Sequence, residues 1–327
     1  MWGYRRTAIL LSLLVVSVVL FFSACQKSED TARYHVALGP WVGFGPLYLA
    51  RDKGFFKEQG VDVDLIVLTG LAERNSALRS GKIDALAAPV DYFVLSAGNG
   101  VVATIVMAID ESVGGDGIVA RKSIKSLADL RGKKVAAQKG LPSDFFLRAL
   151  LQQHGMDAAD IDYIDMETAQ AGAAFLAGDL DAAVVWEPWL TRAKEQGNGH
   201  ILASTREYRN LIVDCLAFNP AIVRTKPDDV QRIVNAILKA IDYAKANPVE
   251  ASEIMSRYFE VAPQKYRTIL EGVEFTDLKR NREYFGTPEK PGPIFEVASR
   301  ASVIWLKAGA ISSPVQGQNI IATNFVQ

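Results

Sequence analysis

The chain has 327 residues, 49% of them hydrophobic, and 36 Lys+Arg against 37 Asp+Glu leave a net charge of −1. That composition excludes a disordered chain and lacks the basic face of a nucleic-acid binder, and two cysteines exclude a disulfide-dense scaffold. A prior of roughly 150 residues per domain predicts two domains.

The apolar content is concentrated at the start. Seventeen of the first 24 residues are hydrophobic, the only charges there are Arg5 and Arg6, and none follows until Lys27. A run of about 20 such residues is long enough to anchor in a bilayer. It also has the order of a signal peptide: a basic start, an apolar stretch, then small residues. Phe22-Ser23-Ala24-Cys25 resembles the lipobox of bacterial lipoproteins, with Phe22 standing where Leu is usual. The resemblance implies diacylglyceryl modification of Cys25, cleavage before it, a signal peptide over residues 1–24 and a polar tether over 25–32. Either an anchor or a lipoprotein places residues 33–327 outside the cytoplasm, on the periplasmic face of the cell membrane. Without residues 1–24 the balance is 34 basic against 37 acidic, or −3, and Cys215 is the one remaining unmodified thiol. No intramolecular disulfide is then possible, so the mature protein rests on its apolar core.

Strand and helix then alternate. Residues 34–38 predict a strand, followed by the glycine-rich loop 39–45 and a helix that Pro46 opens, since a proline loses nothing at a helix start. Residues 61–68 read as a strand entering a core, 72–79 as a helix, 83–88 as a strand and 101–109 as a central strand free of charge. A second unit starts near Ile118. It has a helical turn at 126–130, strands at 133–138, 161–165 and 182–186, and helices from Ser143 to about His154 and over 168–177. Residues 211–218 form a returning strand, and the chain is mostly helical from Lys226. This alternation predicts parallel sheets covered by helices.

Five segments carry a family resemblance. They are Trp41-Val42-Gly43-Phe44-Gly45-Pro46 with its continuation to Val63, Gly81–Ala85, Asp110–Val119, Leu127–Ala136 and Ala177–Pro188. In this order they resemble the solute-binding proteins of ABC importers for nitrate, sulfonates, taurine and thiamine-type pyrimidine precursors. The resemblance covers about residues 34–223. It implies the bilobed type II periplasmic-binding fold, with two α/β lobes joined by two crossovers and the ligand in the cleft. Lobe 1 is then residues 33–118 plus 222–327, and lobe 2 is 119–221.

Ligands of open α/β sheets bind outside the carboxyl ends of the strands. In the first loop, Trp41 offers a flat face, and Phe44 and Gly45 let backbone and a helix N-terminus approach a ligand; the alternative is a structural turn with Trp41 as a core plug. Ser112 lies in a loop with Gly114 and Gly115, as a ligand contact or part of a hinge. Ser143 suits a helix cap or a ligand, and Phe145 or Phe146 a cleft wall or the core. Asp91, Glu187 and Asp214 each sit beside an apolar strand, where a carboxylate is costly unless paired or solvated. Acids at one end and helix N-termini at the other predict an amphoteric ligand or a polar heterocycle. Glu187 before Pro188 has helix capping as its rival.

No metal or cofactor site is expected. His35, His154 and His200 are scattered, Cys215 reads as an inert core thiol, and no nucleophile elbow or phosphate loop appears. The acids Asp157, Asp160, Asp162 and Asp165 lack the pattern of a calcium loop. Pyrimidine synthases share this fold by resemblance, but their cysteine-rich motif is missing. The expectation is a non-enzymatic, monomeric, lipid-anchored solute-binding protein that passes a small organic ligand to ABC permease subunits. The alternatives are a sensing module for a membrane receptor and an enzyme on the same fold.

Overall fold

The structure, a computed structural model, describes residues 32–196 and 199–327. The expected signal peptide over residues 1–24 and Cys25 lie outside the described residues. Among the described residues no helix is long and apolar enough to cross a membrane.

Two mixed α/β sheets organise the chain. It builds β1 (Ala32–Leu38), β2 (Val61–Val67), β3 (Ala85–Pro89) and β4 (Thr104–Ser112), then crosses to a second sheet. There it forms β5 (Asp116–Ala120), β6 (Lys134–Ala137), β7 (Asp162–Asp165), β8 (Ala182–Trp186) and β9 (His200–Ser204). It returns to add β10 (Val213–Phe218) and the short β11 (Val273–Phe275). The strand orders are β11-β4-β10-β3-β1-β2 and β7-β6-β8-β5-β9. This is the two-lobed α/β architecture with two crossovers that the resemblance implied.

The sheets are mixed, where strand–helix alternation predicted parallel ones. β1 runs parallel to β3, and β6 runs parallel to β7 and β8. β10 is antiparallel to β3 and β4, and β5 is antiparallel to β8 and β9. The reason is geometric. Both crossings join the carboxyl edges of the two sheets, so a strand that enters through a crossing must run down against its neighbours. The same geometry puts both crossings where a ligand is expected.

The charge-free strand starts three residues later than predicted. Gly100, at φ 79°, turns the chain so that the Val101 N–H donates back to the Ser96 carbonyl at 2.8 Å. Residues 101–103 therefore finish the helix Val90–Gly98, and β4 extends through Asp110 and Glu111 to Ser112. Ser112 pairs with Val273 of β11, so it belongs to a strand and not to a loop.

Helices cover both sheets. Residues 127–130 form a 3-10 turn closed by a reciprocal cap between Ser126 and Asp129. The apolar stripe near the C-terminus becomes the helix Pro227–Ala246, with Val230, Ile233, Val234, Ile237 and Ile241 buried on one face. A second stripe becomes Ile294–Lys307, whose buried Trp305 donates its indole N–H to the Asp91 carbonyl at 2.9 Å. Cys215 is free and buried within β10, where burial pushes its thiol up, as expected of an inert core cysteine.

Candidate functional site

The carboxyl ends of β1, β3 and β8 and the amino ends of β5 and β10 meet at one point between the sheets. They enclose a narrow cavity of about 30 Å³. Trp41, Phe44, Arg74, Pro89 and Asp214 line it from the first sheet's side, and Asp116, Pro142 and Trp186 from the second's. Among the lining residues Arg74 is the one cation, and Asp116 and Asp214 are the acids.

Electrostatics set this place apart. Asp116 and Asp214 are 4% and 3% exposed, and Asp91 and Asp110, at 1% and 0%, stand behind them. Both carboxyl oxygens of Asp91, Oδ2 of Asp110 and Oδ2 of Asp116 have no protein hydrogen-bond partner. Burial in a low-dielectric interior disfavours the charged form of each acid. It pushes Asp116 up to about 7 against a hydrogen bond from Ser112. It pushes Asp110 up to about 8 although the Trp41 indole N–H donates to Oδ1 at 3.0 Å. Asp91 and Asp214 are also raised well above the ordinary range by burial, and for Asp214 the negative charges of Asp110, Asp116 and Asp91 add to it while Arg74 opposes. Arg74 is held by Nε–H donating to the Leu68 carbonyl at 2.9 Å and by the face of Tyr92. A pocket built this way accepts donors: an amine or ring N–H toward the acids, with Arg74 left for an acceptor.

Asp116 is also tied to both crossings. Its N–H donates to Ser112 Oγ at 3.1 Å, and its carbonyl accepts from the Thr205 N–H at 2.9 Å. The hydroxyls of Ser112 and Thr205 are 2.8 Å apart, and Thr205 Oγ1 also accepts from Gly114 N–H at 2.8 Å.

Of the nine residues singled out from sequence, Trp41, Phe44 and Asp214 line the cavity, and Asp91 lies behind it within electrostatic reach of Asp214. The other five do not line it, for identifiable reasons, although Glu187 lies within electrostatic reach of Asp116. Gly45 is a packing position, because an added Cβ would meet the Tyr266 hydroxyl and, at 2.7 Å, Met255 Sδ. Ser112 spends its hydroxyl on Thr205 and Asp116 at the crossing. Ser143 is not the helix cap, since Leu141 holds that position and Pro142 opens the helix Pro142–Gln153; its hydroxyl accepts from the Gln138 N–H at 3.0 Å. Phe145 packs against Trp305 and Phe146 against Tyr208, so both are core. Glu187 accepts from the N–H and hydroxyl of Thr191 at 3.1 and 2.8 Å and so satisfies an N–H of the first turn, as the rival reading had it, although Pro188 holds the cap position itself.

Asp110, Asp116, Arg74 and Trp186 were not singled out from the sequence. Asp110 carried the same signal as Asp91, an acid closing an uncharged strand. Arg74 carried none, because only the fold brings the helix Leu71–Arg79 to Gly39 and Asp214.

A family model described as NMT1/THI5 like matches residues 41–251. A binding protein of Brucella abortus is 28% identical over 254 residues, 76% of this chain and 78% of that protein. The 4-amino-5-hydroxymethyl-2-methylpyrimidine phosphate synthase of Aspergillus parasiticus is 26% identical over 233 residues, 67% of each chain. The alkanesulfonate-binding protein SsuA from Xanthomonas axonopodis pv. citri, bound to MOPS, superimposes with a TM-score of 0.75 at 16% identity, covering 90% of this chain and 99% of that one. That likeness establishes the periplasmic binding protein fold. The family match spans well over half of the sequence and takes in Trp41, Arg74, Asp116 and Asp214, and the chain belongs to the NMT1/THI5-like family.

Proposed function

We propose that this chain is an extracytoplasmic solute-binding protein, anchored through a lipid on Cys25, that delivers a small amine- or ring N–H-bearing ligand to an ABC importer. The observation that carries the ligand class is the pair Asp116 and Asp214, both buried on the cavity wall, with Oδ2 of Asp116 left without a protein partner. A plain anion such as nitrate would enter a site where one guanidinium faces two acids, with two more behind them. An amphoteric ligand or an aminopyrimidine satisfies both kinds of group. Closure of the two lobes about the crossings would trap it, and affinity would follow the difference between open and closed states.

The absence of turnover is part of this reading, since the cavity wall carries no nucleophile paired with a base. The test is native mass spectrometry of the gently purified mature protein to identify a retained ligand. Calorimetric titration with taurine, an aminopyrimidine, an alkanesulfonate and nitrate then ranks the classes. Binding of the amine-bearing compounds is expected. Tight binding of nitrate alone, or conversion of a bound compound on long incubation, would overturn it.

A further inference from the structure

The acid cavity is too small for a whole ligand. Its roughly 30 Å³ holds two or three water-sized groups, which is room for a head and nothing more. A second chamber of about 280 Å³ adjoins it, and Pro40 and Trp186 line both. The two together reach roughly the 300 Å³ at which pockets begin to hold complete small molecules.

Four aromatic rings face each other across the outer chamber: Trp186 and Trp189 from one side, Tyr258 and Phe259 from the other. Several are fixed from behind. Tyr258 stacks on Tyr48 at 4.0 Å and 7°, and Phe259 stacks on Tyr266 at 5.6 Å and 9°. Trp189 packs against the core of the second sheet, with the Arg192 guanidinium over its ring at 4.7 Å. Rings already immobilised lose little entropy when a ligand slides between them. The polar groups nearby are largely engaged. Glu167 accepts from the N–H groups of Ala169 and Gln170, and the Tyr258 hydroxyl donates to Asp52. Glu260 is exposed, and Arg192 lies against Trp189.

We infer that the ligand carries a flat apolar arm, an aryl or heteroaryl group, seated in this outer chamber while its donor-bearing head occupies the acid cavity. The inference rests on the ligand class proposed above. Aromatic walls favour stacked or edge-on rings over a short polar chain. Because the walls come from both halves of the molecule, the arm is gripped only when the lobes are closed.

Calorimetric titration of the full mature protein with ethylamine and 2-phenylethylamine tests it, since the two share a head and differ in the arm. At least tenfold tighter binding of 2-phenylethylamine is expected. Trp189→Ala should abolish that preference and leave ethylamine within twofold of its original affinity, while Trp189→Phe should restore most of it. Equal affinity for both amines in the unaltered protein, or an equal loss of both in Trp189→Ala, overturns the arm and leaves the acid cavity standing. Binding of neither amine refutes the acid-cavity reading itself and the arm with it.

Discussion

Asp116→Asn should stabilise the ligand-free protein at neutral and alkaline pH while removing its ligand affinity. The folded state holds a proton on Asp116 up to about pH 7, against an ordinary value of 3.8. Below the ordinary value both folded and unfolded chains carry that proton, so no penalty exists. Between the two values the folded chain binds the proton and the unfolded chain does not, so stability falls as pH rises and levels off above about 7. The gap corresponds to about 4 kcal/mol at 1.36 kcal/mol per tenfold in proton affinity. The amide that replaces the carboxyl group is itself buried with few partners and offsets part of the relief, so a gain of about 2–4 kcal/mol is expected at pH 8. At 2–4 °C per kcal/mol that is a rise in Tm of roughly 4–16 °C. Thermal unfolding of both proteins at pH 5 and pH 8, without ligand, measures it. The unaltered protein should lose stability between those values, and Asp116→Asn should lose about 3 kcal/mol less, the part that Asp116 contributes, while Asp91, Asp110 and Asp214 still titrate in both proteins. A flat profile in the unaltered protein, or a variant that is less stable at pH 8, would refute the claim that this carboxyl group is buried at the expense of the fold.

Four further changes probe other parts of the argument. Asp214→Asn should lower affinity for an amine-bearing ligand at least tenfold by calorimetry without lowering Tm, because Asp214 contributes a raised, repelled carboxyl and not a structural contact. Trp41→Phe removes the donor to Asp110 Oδ1 and should cost about 1–3 kcal/mol in denaturant unfolding at pH 9, with a smaller loss at pH 5 where Asp110 is protonated. Gly45→Ala drives a methyl group against Tyr266 and Met255 and should cost about 1–3 kcal/mol, with affinity unchanged if the fold survives. On the proposed lipid anchoring, Cys25→Ala should abolish metabolic labelling by a radioactive fatty acid and leave residues 1–24 uncleaved, as a slower-migrating band on immunoblots would show.

How much of this was legible in the sequence depended on whether the deciding partner was local. Trp41 after β1 and Asp214 inside an apolar strand announced themselves, because an aromatic ring or an uncompensated acid at a strand end has few structural uses. The same rule applied to Glu187 pointed away from its role, since Thr191, four residues on, supplies the donors. Asp110 carried the signal of an acid closing a strand, but its burial depends on β10 and β11, which pair with β4 on both sides and come from far along the chain. Phe145 looked free to face a cleft because its cover, Trp305, comes from a helix about 160 residues later. The mixed sheets were missed because alternation records the order of elements and not the edge from which a strand enters.

Asp116 joins the two levels of the site. Its carboxyl group lines the cavity, and its backbone is held by Ser112 from one crossing and Thr205 from the other. In an open cleft water would solvate Asp116 and Asp214, and neither would carry a burial penalty. Closing without a ligand imposes that penalty, which protonation or a donor can relieve. A ligand amine therefore binds the closed arrangement better than the open one by an amount tied to the carboxyl desolvation it offsets, and such a difference is what a ligand needs in order to shift a conformational equilibrium. A plain anion brings no donor and can meet these groups only in their protonated form. On the proposed function, the same acids that make the empty closed state costly also make closure selective for donor-bearing ligands, and the contact that senses the ligand lies on the hinge that moves.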